Sequence, residues 1–135
     1  ILDVIRKRGL QNVVVVVTRY FGGVLLGAGG LVRAYGKACG GALTDAGEVW
    51  VKTCLELKIP IEYHLSGKLQ NMLINEGFII GNTEYSDEVT YTVYSPMERL
   101  EFLNQQISEI TGGILRTKVI GNKEIKTDEN GKLLK

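Results

Sequence analysis

The order of apolar patterns between residues 55 and 121 is the feature that most constrains the fold of this chain. Some segments alternate apolar and polar residues, as half-buried strands do, and between them lie segments whose apolar residues have helical spacing. In chain order these are a strand in "LELKIPIEY", a helix over 65–73, strands in "FIIGNTEY" and "EVTYTVY", a helix over 100–110 and a strand in "ILRTKVIG". The order β-α-β-β-α-β predicts a ferredoxin-like arrangement.

Turn and cap residues separate these segments. Ser86-Asp87 is a turn pair, so the two middle strands are predicted to form a hairpin with Val89, Tyr91 and Val93 on one face. Gly77 is placed to end the first helix. "SPME" at 95–98 predicts a capping box at the start of the second helix.

The first part of the chain has a different pattern. Five consecutive valines, 13–17, predict a central strand covered on both faces of a layered sheet. The apolar spacing from Ala28 to Leu43 predicts a helix, with Gly36 and Gly40 leaving a flat face against the sheet. The fold class is therefore predicted to be α+β, with a first domain over 1–53, a ferredoxin-like domain over 54–126 and a frayed tail over 127–135.

The start of the chain and its composition indicate where the protein acts. "ILDVIRKRG" has no initiator Met, and its apolar residues Ile1, Leu2 and Ile5 already have the spacing of a buried helix face. We therefore expect a fragment or processed form whose first strands lie upstream. No apolar run is long enough to span a bilayer, and no leader pattern is visible. Cys39 and Cys54 have no ligands at zinc spacing. These observations predict a cytoplasmic protein with reduced thiols, no membrane contact and no cofactor.

Charge is distributed unevenly along the chain. Residues 1–54 contain seven Lys and Arg against three Asp and Glu, whereas residues 55–135 contain nine against twelve. The first part is therefore better suited to a polyanion than the second.

Catalytic groups are scarce in this sequence. His64 is the only histidine, and no spacing links it to a cysteine, so the sequence predicts neither a catalytic triad nor a metal site. Glu84, Asp87 and Glu88 fall at the hairpin tip, where a solvated turn is the ordinary explanation.

The glycine-rich stretch "TRYFGGVLLGAGGLVRAYGKACGG", residues 18–41, has two interpretations. The helix that opens at "GAGG" offers the backbone N–H groups of Gly27, Gly29 and Gly30 to an anion. Neither the Walker loop nor the dinucleotide pattern G-x-G-x-x-G is completed. The alternative is that the glycines serve backbone geometry and close packing.

Charged and aromatic residues within the same stretch point to nucleic acid. Arg33 and Lys37 lie one turn apart on one helix face, and Arg19 and Tyr20 precede that helix. Arginine with tyrosine makes a surface that contacts phosphate and stacks on a base. The alternative is that the arginines pair with carboxylates and the tyrosines fill the core.

"VVVVVTRYFGGVLLGAGGLVRAYGKA" closely resembles the signature of the Impact family, and "ILDVIRKRGLQN" and the β-α-β-β-α-β part resemble its bacterial, YigZ-like members. The resemblance implies a first domain with the fold shared by a small-subunit ribosomal protein and domain IV of elongation factor G. It implies a ferredoxin-like second domain similar to a later domain of that factor. Family members have a further half-domain before this point, with an acidic, glycine-rich segment that this sequence lacks.

The resemblance links the chain to translation or RNA without implying a reaction. The sequence therefore favours a non-enzymatic factor that binds RNA or the ribosome through Arg19, Tyr20, Arg33 and Lys37. Two alternatives stay open: a regulator that binds a protein partner through the ferredoxin-like domain, and an enzyme whose catalytic groups lie in the missing segment. The oligomeric state is not predicted.

Overall fold

A computed structural model describes residues 1–20 and 25–134. The chain divides into a first unit, Ile1–Glu48, and a second unit, Val49–Lys135. The elements in chain order are α1 (Leu2–Lys7), α2 (Gly27–Ala46), β1 (Trp50–Ile61), α3 (Tyr63–Asn75), β2 (Ile79–Tyr85), β3 (Val89–Ser95), a 3₁₀ turn (Met97–Arg99), α4 (Leu100–Thr111) and β4 (Lys118–Thr127). Helices and an antiparallel sheet together confirm the predicted α+β class.

The second unit contains a four-stranded sheet in the order β2-β3-β1-β4, with every neighbouring pair antiparallel. Because α3 connects β1 to β2 and α4 connects β3 to β4, the topology is ferredoxin-like, as predicted. The hairpin joins β2 to β3 through 86–88, with Tyr85 opposite Val89.

One face of this sheet packs on α3 and α4 and forms the main core. Alternate residues of β1 and β3 point to this face because successive side chains of a strand alternate. The buried members of this core are Leu55, Leu57, Ile59, Ile61, Leu69, Leu73, Phe78, Val89, Tyr91, Val93, Leu103 and Ile107. The predicted facing of Val89, Tyr91 and Val93 is thus confirmed.

A Schellman motif ends α3. Gly77 has φ of 77°, which favours glycine, and its N–H donates to the carbonyl of Ile74 at 3.1 Å. The N–H of Phe78 donates to the carbonyl of Leu73 at 2.9 Å. This geometry directs the Phe78 ring back into the core beside Leu73.

The capping box predicted at "SPME" does not form. The Ser95 hydroxyl donates to the carbonyl of Pro96 at 2.9 Å, and the 3₁₀ turn Met97–Arg99 separates Pro96 from α4. The prediction was wrong because the extra turn moves the first helical N–H groups beyond the reach of Ser95.

The opposite face of the sheet carries a smaller cluster, formed by Cys54, Tyr94 and Ile125 with Leu133 packed against it. Leu133 reaches this position because residues 128–134 fold back on β4. Thr127 and Leu133 form a β-bridge, and the N–H of Leu134 donates to the carbonyl of Lys126 at 2.9 Å. The segment predicted to fray is therefore hydrogen-bonded to the last strand.

In the first unit, α1 packs against α2. The valines at 13–17 do not form a strand: they lie in an extended segment, and Val14 and Val16 are exposed. The prediction of a buried central strand was wrong because a strand needs hydrogen-bonded neighbours, and no segment among residues 1–20 and 25–134 pairs with this one.

The division between the units is set by β1. A single strand runs from Trp50 to Ile61 and pairs with β4 from its first residue, Trp50 opposite Thr127. Val51–Thr53 thus belong to the sheet of the second unit, whereas the sequence pattern put the domain boundary after Thr53.

Candidate nucleic-acid interface

Helix α2 is the element that positions the predicted basic residues. It has 20 residues and only two of them, Cys39 and Leu43, are buried. Arg33 and Lys37 are exposed and lie one turn apart, so their side chains project from the same face of the helix. Within the described parts of the chain, neither side chain has a hydrogen-bond or ion-pair partner.

The glycines of α2 have distinct structural reasons. A Cβ at Gly30 would lie 3.0 Å from the Cβ of Leu26, so the backbone approaches closely there. Gly36 and Gly40 face α1, where an added Cβ would meet Val4 at 3.9 Å. The flat face predicted from Gly36 and Gly40 exists, but within this unit it lies against α1 and not against a sheet.

The start of α2 agrees with the chemistry expected of Gly27, Gly29 and Gly30. Gly27 has φ of 71°, the helix has no side-chain N-cap, and its first turn contains no acidic residue. A Cβ at Gly29 would meet no atom of residues 1–20 or 25–134 within 4 Å, so no packing contact among those residues requires a glycine there. Anion binding by these backbone N–H groups stays a prediction.

Arg19 and Tyr20 lie at the end of the extended segment, before α2. Both are exposed, and Tyr20 exposes 91% of its surface, which is unusual for an aromatic side chain. From the sequence alone, Gly22 and Gly23 are expected to let the chain turn sharply after this segment, but both glycines lie outside the described residues. The helix brings Arg33 and Lys37 together, and adjacency in the chain brings Arg19 and Tyr20 together.

Arg8 has a structural role that sequence reasoning missed. Its guanidinium donates to the carbonyl of Gly40 at 3.1 Å and to the hydroxyl of Thr44 at 2.8 Å, and it lies 3.6 Å from a carboxylate oxygen of Glu48. Arg8 therefore joins α1 to the last turns of α2 and neutralises Glu48. No sequence signal could have shown this, because the partners lie more than thirty positions away.

Family comparisons agree with this two-unit organisation. Residues 1–43 match the model of the Impact N-terminal domain, and residues 59–113 match that of a domain of unknown function, DUF1949. The chain is 37% identical over 112 residues to the IMPACT family member YvyE of Bacillus subtilis, covering 83% of this chain and 52% of that relative. The chain belongs to the IMPACT family. The resemblance inferred from the glycine-rich signature is thus confirmed.

Other members of the IMPACT family give the same result. YigZ of Escherichia coli is 31% identical over 109 residues, which cover 80% of this chain and 53% of that relative. A member from Thermus thermophilus is 44% identical over 73 residues, which cover 54% of this chain and 41% of that relative. The chain spans about half the length of the curated relatives it matches.

A solved structure described as a hypothetical protein is also similar to this IMPACT family chain. The two share 28% sequence identity with a TM-score of 0.48, and the match covers 75% of this chain and 49% of that one. Within the described residues of this family member, no helix has the length and apolar character needed to cross a membrane.

The residues considered for catalysis do not assemble into a site in this IMPACT family chain. His64 is exposed, and its Nδ1 lies 3.2 Å from a carboxylate oxygen of Glu62. Cys39 and Cys54 are buried free thiols in different units. Burial raises the pKa of the Cys54 thiol; nearby Lys52 opposes this shift. In residues 1–20 and 25–134, no three His, Cys, Asp or Glu side chains are grouped as metal ligands.

A second arginine with a clear partner lies in the second unit. The Arg116 guanidinium donates two hydrogen bonds to the Glu88 carboxylate, one of them 2.7 Å long between Nη2 and Oε1. These hydrogen bonds hold the pKa of Glu88 below its ordinary value. Glu88 was interpreted from sequence as part of a solvated hairpin tip. Its partner is 28 positions away, so the sequence could not show the pair.

We expect the Arg116–Glu88 pair to weaken under acid conditions. Because the folded pKa of Glu88 is depressed, its stabilisation is present above the unfolded value of about 4.3 and is lost as the pH falls through the lower folded value. NMR titration of the Glu88 carboxyl should therefore give a midpoint below that of an ordinary glutamate. Arg116→Gln should return the midpoint to the ordinary range, whereas Arg6→Gln, in the first unit, should not. An unchanged midpoint in Arg116→Gln would contradict the assignment.

Proposed function

We propose that this IMPACT family protein is a non-enzymatic factor that binds single-stranded RNA through its first unit, with Arg33 and Lys37 as the central phosphate contacts. The observation that carries the proposal is that two cations, one turn apart on α2, are exposed and have no ion pair among the described residues. A cation without a carboxylate partner is free to replace the counterions of a phosphate backbone, which is the main source of affinity for nucleic acid.

The charge distribution along α2 supports this role. The positive end of the helix dipole is at Gly27, and no acidic residue lies in the first turn. Two carboxylates of the first unit, Asp45 and Glu48, lie at the other end of α2, where Arg8 contacts Glu48. Arg33 and Lys37 therefore lie nearer the positive end of α2 than Asp45 and Glu48 do.

Tyr20 supplies the second kind of contact that such a surface needs. An exposed tyrosine beside Arg19 offers a ring on which an unpaired base stacks, and stacking is tolerant of sequence. Because both parts of the chain resemble domains of elongation factor G, we propose that the RNA is ribosomal and that the protein acts in the cytoplasm.

The test is the salt dependence of binding to a fluorescent oligouridylate. On single strands the slope of log affinity against log salt is about −0.7 per phosphate contact. Arg33→Gln with Lys37→Gln should therefore reduce the magnitude of the slope by about 1.4 and the affinity by about tenfold at low salt. The matched control is Lys68→Gln with Lys132→Gln, two exposed lysines of the second unit, which should leave the slope unchanged.

Tyr20→Leu separates stacking from charge. We expect it to lower the affinity by about 1–3 kcal/mol without changing the salt slope, because no charge is removed. If the unaltered protein does not bind the oligonucleotide at low salt, or if the two lysine controls lower binding as much as the α2 variants do, the proposal should be abandoned.

A further inference from the structure

A groove in the second unit has the features of a phosphate site. It lies on the sheet face opposite α3 and α4. Along β1, the pairing with β4 ends at Lys58, which lies opposite Lys118, whereas β1 itself continues to Ile61. Pro60 has no N–H to donate to a neighbouring strand. The groove has a volume of about 690 Å³ and is lined by Lys58, Pro60, Glu88, Thr90, Arg116, Thr117 and Lys118.

The register of β1 and β4 places two like charges directly opposite each other. Lys58 and Lys118 are cross-strand partners and so point to the same face of the sheet. Directly opposed like charges destabilise a sheet, so we expect this pair to cost free energy. An oxyanion between the two ammonium groups would convert the repulsion into two attractions.

The carboxylates near the groove do not cancel its charge. Glu88 pairs with Arg116, and Glu84 lies 3.4 Å from Lys58 but is itself 64% exposed, where an ion pair contributes little. Lys118 has no ion pair within the described part of the chain. The lining therefore has three cations against one carboxylate.

Two hydroxyl groups beside these cations are buried without a partner. Thr117 lines the groove, and its Oγ1 is inaccessible and forms no hydrogen bond to a described residue. Thr92 lies opposite Lys58 on β3 and is 3% exposed, and its Oγ1 is also inaccessible and forms no hydrogen bond to a described residue. Because both hydroxyl oxygens are inaccessible, an anion in the groove would not contact them, so the cations alone define the binding chemistry.

We infer that this groove binds a phosphate group, held by Lys58 and Lys118. The described residues that line the groove include no aromatic side chain, so the inference is of a site for phosphate and not for a base. The phosphate comes from a small phosphorylated molecule or from a nucleic-acid backbone. The site lies in the second unit and does not depend on RNA binding by the first.

The test is an NMR titration of the isotope-labelled chain with inorganic pyrophosphate at constant ionic strength. We expect amide shifts concentrated at Lys58 and at 116–118. Lys118→Gln should weaken binding by about tenfold, since it removes a charge-assisted hydrogen bond. It should also raise the thermal midpoint of the unliganded protein, because it ends the repulsion with Lys58. Lys68→Gln, an exposed lysine on α3, should change neither quantity.

Lys58→Gln keeps the assignment testable if Lys118→Gln folds poorly. It removes the other ammonium group of the opposed pair and should likewise weaken pyrophosphate binding by about tenfold. The inference is overturned if pyrophosphate shifts no groove amide, or if Lys68→Gln weakens binding as much as the two groove variants do.

A parallel titration with an oligouridylate lacking terminal phosphate identifies the source. Groove shifts with pyrophosphate alone would assign a small phosphorylated ligand, and shifts with both probes would add the RNA backbone. Groove shifts with the oligonucleotide alone would overturn the inference, because the site is assigned to phosphate itself.

Discussion

Replacing Leu103 with Ala is expected to lower the free energy of unfolding of the second unit by about 2–5 kcal/mol. Leu103 is fully buried on α4, in the cluster that joins the helices to β1 and β3. The substitution removes apolar contacts and leaves a cavity. Because short connections hold the helices to the sheet, the helices close this cavity only in part.

Urea denaturation monitored by circular dichroism measures this loss of unfolding free energy. Leu115→Ala is the matched control because it deletes the same atoms from a side chain that is 50% exposed, and we expect it to change stability by less than about 0.5 kcal/mol. Equal midpoints for the two variants would show that α4 does not pack on the sheet as described.

Replacing Phe78 with Ala should cost about 3–5 kcal/mol. The ring is 6% exposed and stacks on Phe102 with centroids 6.3 Å apart. The guanidinium of Arg99 lies 4.1 Å from the Phe78 centroid, and its Nη1 donates to the carbonyl of Glu76 at 2.8 Å. Loss of the ring therefore affects the core, the Schellman turn and a cation–π contact together.

The control for size is Tyr85→Ala, which removes an aromatic ring that is 71% exposed. Arg99→Met, alone and combined with Phe78→Ala, isolates the cation–π contribution, which we expect to be about 0.5–1 kcal/mol. If Phe78→Ala is no more destabilising than Tyr85→Ala, the ring does not anchor the end of α3.

The sequence was sufficient to predict the order of helices and strands in the second unit because the pattern of each element is local. Alternation from Leu55 to Ile61 predicts the second part of β1, and Gly77 marks the end of α3 through its backbone preference alone. The capping box failed because Ser95, though of the right residue type, lies a 3₁₀ turn too early.

The candidate sites depended more on long-range structure. The shared face of Arg33 and Lys37 follows from helical spacing and was predictable. The groove could not be predicted, because it depends on the register that sets Lys58 against Lys118 and on a register shift between Glu56 and Leu57. No pattern within a single segment contains that information.

The extended valine segment of the first unit carries a risk for the protein itself. Val14 and Val16 are 89% and 82% exposed, and the run of five β-branched residues has no charge, glycine or proline. Uncharged β-branched runs of this kind favour intermolecular cross-β stacking. Because a charged residue beside such a run opposes stacking, we expect Arg19, two positions beyond Val17, to lower the tendency of the chain to aggregate.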